Sequence, residues 1–285
     1  GCSSPEKSPE YRAMVQQGFD WHVRGKFGEA KGRFLEAIEQ CPTGYDAIVG
    51  LANASCELGF QKYAEAEDLY RNKKVDLAEA QYKRANTEHG NALKLYLKAI
   101  ELRKDDLMAY RELGVMCYRR AASPYIFPYP PDDKESRSLD RDRAIFYLKH
   151  VVDRQPDVPF AQRYLGLAYF SAGNTAQGRE HFSIYMKHVA NLKEFIIKRT
   201  PARTPEQKSD KERKLQDLNK ELDEARGLIE AYRVDLIQQR KELEGGGSEE
   251  KQKLLAALNQ EILQVEALLS QFTQAPPDPA PEGAC

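Results

Sequence analysis

The stretch GFDWHVRGKFGEAKGRFLEAIEQCP, residues 18–42, decides how this chain folds. Its anchors are Gly18, Ala30, Phe34, Ala37 and Pro42. Glycine and alanine let two helices approach closely, while the phenylalanine fills the space between them, and proline ends the second helix because it cannot continue the backbone ladder. The stretch therefore predicts two helices packed against each other, with a glycine-containing turn between them.

Partial copies of this spacing follow along the chain. Their anchors are Leu51, Ala52, Ala92, Tyr96 and Ala99; Leu113, Gly114, Ala144, Leu148 and Val151; and Leu165, Gly166, Tyr169, Gly178 and Phe182. The pattern resembles the tetratricopeptide repeat (TPR), a helix–turn–helix unit of about 34 residues. The resemblance implies an all-α fold, with a right-handed solenoid of about four repeats over residues 10–190. Such a scaffold binds other proteins and usually performs no chemistry itself.

Two of the copies contain insertions. The spacing from Ala52 to Ala92 exceeds the Gly18–Ala30 spacing by 28 residues, and the inserted segment holds no proline. It predicts an elongated helical hairpin near residues 58–88, with its tip near Arg71–Lys74.

The insertion in the third copy is different, because residues 124–131 read PYIFPYPP and cannot be helical. We expect an extended loop within residues 121–140. Its aromatic residues, Tyr125, Phe127 and Tyr129, are candidate interface residues. They either form an exposed recognition strand or fold back into the solenoid groove.

Beyond an expected linker at 191–205, the hydrophobic period changes to heptads, from Leu215 to Leu243 and from Leu255 to Phe272. Two heptad helices with a glycine break between them predict an antiparallel coiled-coil hairpin over residues 206–273. Alternatively, the seams pack on the solenoid or on a second copy of the chain. The longer arm leaves three leucines with few partners on the shorter one, so they are candidate interface residues for the solenoid end or for another protein: Leu215, Leu218 and Leu222.

The two ends differ from the rest in composition, and we expect a flexible tether at residues 1–9 and a disordered Pro-rich tail at residues 274–285. The sequence Gly1-Cys2-Ser3-Ser4 resembles the start of a mature bacterial lipoprotein, in which the cysteine carries the lipid. The resemblance implies lipid attachment at Cys2 and a place at the periplasmic face of the outer membrane. The alternatives are an ordinary cysteine and a cytoplasmic protein.

Composition argues against several classes of function. The net charge is −1 with charges of both signs mixed, which does not favour nucleic-acid binding. The five cysteines show no CxxC spacing, and no catalytic constellation is identifiable. We therefore expect no enzymatic activity, no metal and no cofactor.

In TPR domains the first helices of successive pairs line a concave groove. By the resemblance, the groove residues here are Phe19, His22, Asn53, Arg111, Tyr118, Arg119, Arg163 and Phe170. The three arginines suit a peptide that carries a carboxylate. Alternatively, the insertions, neighbouring repeats or the terminal hairpin cover these positions.

The sequence thus predicts a non-enzymatic protein-interaction scaffold. A lipid-anchored scaffold of this kind is similar to the pilotins, which are adaptors that help a secretin or pilus component to assemble. This comparison rests on fold-level analogy. Two alternatives stay open, a permanent structural subunit of an envelope machine and a regulator of cell-wall metabolism. The sequence leaves the oligomeric state open.

Overall fold

The computed structural model describes residues 8–122, 133–245 and 247–273, with backbone alone for residues 133–137 and 273. The described residues form helices and no strand, which confirms the all-α fold class. The helices are α1 (Pro9–Val23), α2 (Phe27–Gln40), α3 (Tyr45–Arg71), α4 (Val75–Leu102), α5 (Leu107–Ala122), α6 (Asp133–Arg154), α7 (Pro159–Ser171), α8 (Thr175–Arg199), α9 (Pro205–Leu243) and α10 (Glu249–Thr273). The chain divides into two compact units, unit 1 (Gly1–Val151) and unit 2 (Val152–Cys285).

The first helix pair forms because a glycine and a phenylalanine fit together. A Cβ atom added at Gly18 of α1 would lie 2.6 Å from the ring of Phe34 in α2, so only glycine leaves room for that ring. Phe34 is fully buried. Between the helices Gly25 has φ of 72°, in the left-handed region that favours glycine. This is the helix–turn–helix geometry that the repeat spacing predicts.

The longest helix pair of unit 1 is α3 and α4, with 27 and 28 residues. At 1.5 Å per residue each helix is about 40 Å long. Residues 72–74 connect them, inside the segment where the sequence places the tip. His89 is fully buried in this hairpin, and its Nε2 atom lies 3.1 Å from the carbonyl oxygen of Cys56. Burial lowers the pKa of His89 to about 3, so the ring is neutral.

The structure differs from the loop expected over residues 121–140. Helix α5 continues to Ala122 and α6 begins at Asp133, so a large part of that range is helical. An ion pair holds the two helices together, since Arg120 Nε donates to Asp140 Oδ2 over 2.9 Å. Residues 124–131, with Tyr125, Phe127 and Tyr129, lie outside the described residues.

In unit 2, α7 and α8 pack through a glycine and a phenylalanine, as α1 and α2 do. A Cβ atom at Gly166 of α7 would lie 3.0 Å from the ring of Phe182 in α8. The expected linker at 191–205 is mostly absent, because α8 runs on to Arg199. Val189 and Ile196 are both buried, two turns apart on one face, so the apolar period carries the helix onward. Only the short segment before α9 is irregular.

Helices α9 and α10 form the predicted hairpin, reversing at Gly245, whose φ is 99°. The two helices pack together, and seam residues of both are buried, among them Ile229 and Leu236 of α9 and Val265 of α10. The hairpin is not a separate domain, because α9 also packs on α7 and α8, and α10 packs on α8. Helix α10 therefore buries a second stripe beside the heptad seam, and Leu268 is fully buried while the seam residue Leu269 is only half-buried.

Candidate protein-binding surfaces

Three of the predicted groove residues meet around one small cavity in unit 1. His22 of α1, Asn53 of α3 and Arg119 of α5 line a space of about 70 Å³. These are first helices of successive pairs, as the repeat register predicts. A space of this size suits a few ordered water molecules.

The walls of this cavity are bonded to each other. Tyr96 donates its hydroxyl hydrogen to Asn53 Oδ1 over 2.6 Å. Arg119 donates to both carboxylate oxygens of Glu57, over 2.5 and 3.3 Å, and its guanidinium lies 3.8 Å from the centre of the Phe60 ring. Arg119 therefore has both an anionic partner and an aromatic one within the chain.

The other groove residues of unit 1 are also engaged within the chain. Phe19 is half-buried and meets the Phe34 ring edge-on, with 5.1 Å between ring centres. Arg111 pairs with Glu112 at 2.8 Å, and Tyr118 is buried. These positions therefore contribute to packing and to internal charge balance.

In unit 2, α9 covers the predicted groove residues of α7. Phe170 is buried, with its ring centre 5.2 Å from that of Tyr232 in α9. Arg163 is only 8% exposed and pairs with Glu221 of α9 at 3.4 Å. The structure thus differs from the expectation of an open groove with three available arginines, because each arginine has a glutamate partner within the chain.

The three described cysteines are all buried, and the pKa values of two of them are raised. Cys41, Cys56 and Cys117 are free and buried. Burial raises the pKa of the Cys117 thiol to about 12 and that of Cys56 higher still, so both are protonated at neutral pH. The described residues contain no cluster of three His, Cys, Asp or Glu side chains suited to a metal ion. None of the described helices combines the length and hydropathy needed to cross a membrane.

A second concave surface, in unit 2, lies between α8, α9 and the end of α10. We call it the α8–α9–α10 groove, and its volume is about 780 Å³. Its apolar lining comes from Met186, Val189, Ala190, Ile197, Leu222 and Phe272. Of the three leucines predicted to be interface residues, Leu222 lines the groove, Leu218 is buried and Leu215 is half-buried.

The groove exists because α9 and α10 differ in length. Helix α9 has 39 residues and α10 has 25, a difference of 14 residues. Helix α10 packs on both α8 and α9, and its last turn, at Phe272, lies at one end of the groove. Apart from Gln271 and Phe272 of α10, all of the lining residues of the groove belong to α8 and α9.

The charged residues of the groove are mainly positive. Four cationic side chains (Lys187, Lys193, Lys198 and Arg226) and two acidic ones (Glu194 and Asp223) line it, for a net charge of +2. Lys198 pairs with Glu194, and Arg226 pairs with Asp223 at 3.4 Å. Lys187 is exposed. An apolar floor with a positive rim suits an apolar ligand that carries negative charges at its edges.

Sequence reasoning missed the α8 side of this groove because it ended the last repeat at residue 190 and assigned residues 191–205 to a linker, which divides this helix face. The signal was present, since Met186, Val189, Ala190 and Ile197 follow the spacing of one helix face.

No protein-family model matches this chain. A search of curated proteins also finds no match. Among solved structures, the chain is similar to a tetratricopeptide repeat protein from Parabacteroides merdae, at 12% identity and a TM-score of 0.39, over 95% of this chain and 82% of that one. It is also similar to a monomeric mutant of IFIT1 with Gppp-AAAA and to a human IFIT1 dimer with m7Gppp-AAAA. Both match at 14% identity and a TM-score of 0.34, over 93% of this chain and 71% of theirs.

Proposed function

We propose that this protein is a non-enzymatic protein-interaction scaffold, and that the α8–α9–α10 groove binds an amphipathic helix of a partner protein. The observation that carries the proposal is an apolar groove of about 780 Å³ at the place where α10 ends. On the other predicted surface, Arg111, Arg119 and Arg163 each pair with a glutamate within the chain, which makes that surface the weaker candidate.

A helix is the occupant that this geometry favours. A partner helix of about 14 residues, roughly 21 Å long, would continue the line of α10 over the seam that α10 leaves uncovered. Its apolar stripe would face Leu222 and Ile197, and acidic residues at its edges would face the positive rim. The rim charges would speed association, while burial of the apolar stripe would supply most of the affinity.

A phage-displayed library of 14-residue peptides, selected on the full chain, tests this proposal. We expect the selected peptides to carry apolar residues at i, i+3, i+4 and i+7 with acidic residues beside them. Ala190→Trp fills the groove from an exposed position and should weaken binding of these peptides about tenfold or more. Ala256→Trp, at an exposed position of α10 away from the groove, is the matched control.

Two outcomes would contradict the proposal. One is a selected pool without the amphipathic pattern, and the other is equal binding by the two tryptophan variants. Circular dichroism of both variants shows whether the helical fold is intact.

The finer proposal is that the scaffold is a lipid-anchored adaptor of the bacterial envelope, with a secretin or pilus component as its partner. It is supported only by the Gly1-Cys2-Ser3-Ser4 sequence, and Cys2 lies outside the described residues. Intact-mass measurement of the protein extracted from its native membranes should show acyl groups on Cys2. A free Cys2 thiol in that material would refute lipid attachment.

A further inference from the structure

Three turns of this chain share one backbone geometry. In the α1–α2 turn Gly25 has φ of 72°, in the α7–α8 turn Gly173 has φ of 76°, and in the α3–α4 turn Lys73 has φ of 59°. The hydrogen bonds match as well. The residue with positive φ donates to the carbonyl three residues before it, and the next residue donates to the carbonyl five residues before it. The α3–α4 turn therefore has a lysine where the other two turns have glycine.

The left-handed conformation is unfavourable for a residue with a Cβ atom, and glycine is the residue that relieves it. Lys73 is the only non-glycine residue with positive φ in the part of the chain that the structure describes. An unfavourable conformation kept at an exposed tip points to a use for the side chain rather than to a need of the fold.

The residues around Lys73 indicate what that use is. Arg71, the last residue of α3, and Lys74 lie on either side of it, and all three cations are exposed. Arg71 also pairs with Glu67 at 3.4 Å. Directly after them, Val75 is 45% exposed and Leu77 is 58% exposed. Asp76, between them, is also exposed, so residues 71–77 carry three cations and one anion, a net charge of +2. The end of the α3–α4 hairpin thus presents a net positive charge and apolar side chains together.

We propose that this tip, residues 71–77, contacts the surface of an anionic lipid bilayer. The cations would lie among lipid phosphates while Val75 and Leu77 enter the interface, as in other basic and apolar membrane-contact segments. A folded protein is the less suitable partner, because seven residues at the end of a helical hairpin bury little area against another protein. This site is in unit 1, and it does not depend on the groove of unit 2.

The test is co-sedimentation of the full chain with two kinds of vesicle. The chain carries Cys2→Ser, which removes the predicted lipid attachment. We expect binding to vesicles of phosphatidylcholine mixed with phosphatidylglycerol and much weaker binding to phosphatidylcholine alone. Lys73→Glu with Lys74→Glu should weaken binding about tenfold or more. Lys94→Glu with Lys104→Glu makes the same change in net charge at exposed positions away from the tip and should leave most binding intact.

Lys73→Gly distinguishes the effect of the lysine charge on vesicle binding from the effect of its backbone conformation on stability. It should weaken vesicle binding about fivefold by removing one charge, while Tm rises by about 2–4 °C because the left-handed residue becomes glycine. Equal binding to both kinds of vesicle, or equal losses in the tip and control variants, would overturn the proposal. Tip-dependent binding to poly-glutamate without binding to vesicles would overturn it as well, since it would identify an acidic protein surface as the partner.

Discussion

Individual glycines determine how closely the helices of unit 1 approach each other. The Phe34 ring lies between α1 and α3, and a Cβ atom at Gly50 of α3 would come within 2.3 Å of it. Gly90 of α4 is different, because nothing lies within 4 Å of the position its Cβ would take. The same amino acid therefore has a packing role at one position and none at the other.

The two glycines should respond to alanine with opposite signs. Gly50→Ala should lower the free energy of unfolding by about 1–3 kcal/mol, because the Phe34 ring must move within a packed core. Gly90→Ala should raise it by about 0.5–1 kcal/mol, since alanine is the better helix former and meets no neighbour. Urea denaturation followed by circular dichroism measures both changes. Equal stability of the two variants would mean that the close approach at Gly50 is not required.

Among helices, the packing of α10 on two neighbours decides which of its leucines are buried. The heptad pattern assigns Leu269 to the seam, yet it is the neighbouring Leu268 that is fully buried. Leu263 of the same helix is 60% exposed. A side-chain hydrogen bond also joins α8 to α10, since buried Thr175 at the start of α8 donates to Glu261 of α10 over 3.3 Å. A helix that contacts both α8 and α9 needs a wider apolar face than a two-helix seam provides.

Two leucines of α10 test this packing. Leu268→Ala should lower the free energy of unfolding of unit 2 by about 2–5 kcal/mol, because it leaves a cavity in a buried layer. Leu263→Ala is the matched control and should change stability by less than about 0.5 kcal/mol. Hydrogen exchange in α8 and α10 reports the result. If α8 keeps its protection in the Leu268 variant, α10 does not stabilise α8 in the way we describe.

For the molecule as a whole, the division into units differs from the division by sequence pattern. The change from TPR-like spacing to heptads falls near residue 200, but the compact units meet at Val151–Val152, within α6. A repeat pattern predicts which residues face a neighbouring helix, but it does not predict which helices share a hydrophobic core. The last repeat pair therefore belongs with the hairpin, and the α8–α9–α10 groove arises inside that unit.

Much of the fold could be predicted from the sequence, because the deciding contacts are local. Gly18 and Phe34 lie in consecutive helices, and so do Gly166 and Phe182, so spacing alone predicts that they meet. The position of the turn between α3 and α4 was also predicted from spacing alone.

The surfaces for binding were decided by the tertiary structure. Arg119 pairs with Glu57, 62 residues away, and Arg163 pairs with Glu221, 58 residues away. The groove depends on where α10 stops over α8 and α9. Periodicity predicts the apolar face of each helix, but the burial of that face depends on which other helices pack against it, and those contacts join residues far apart in the chain.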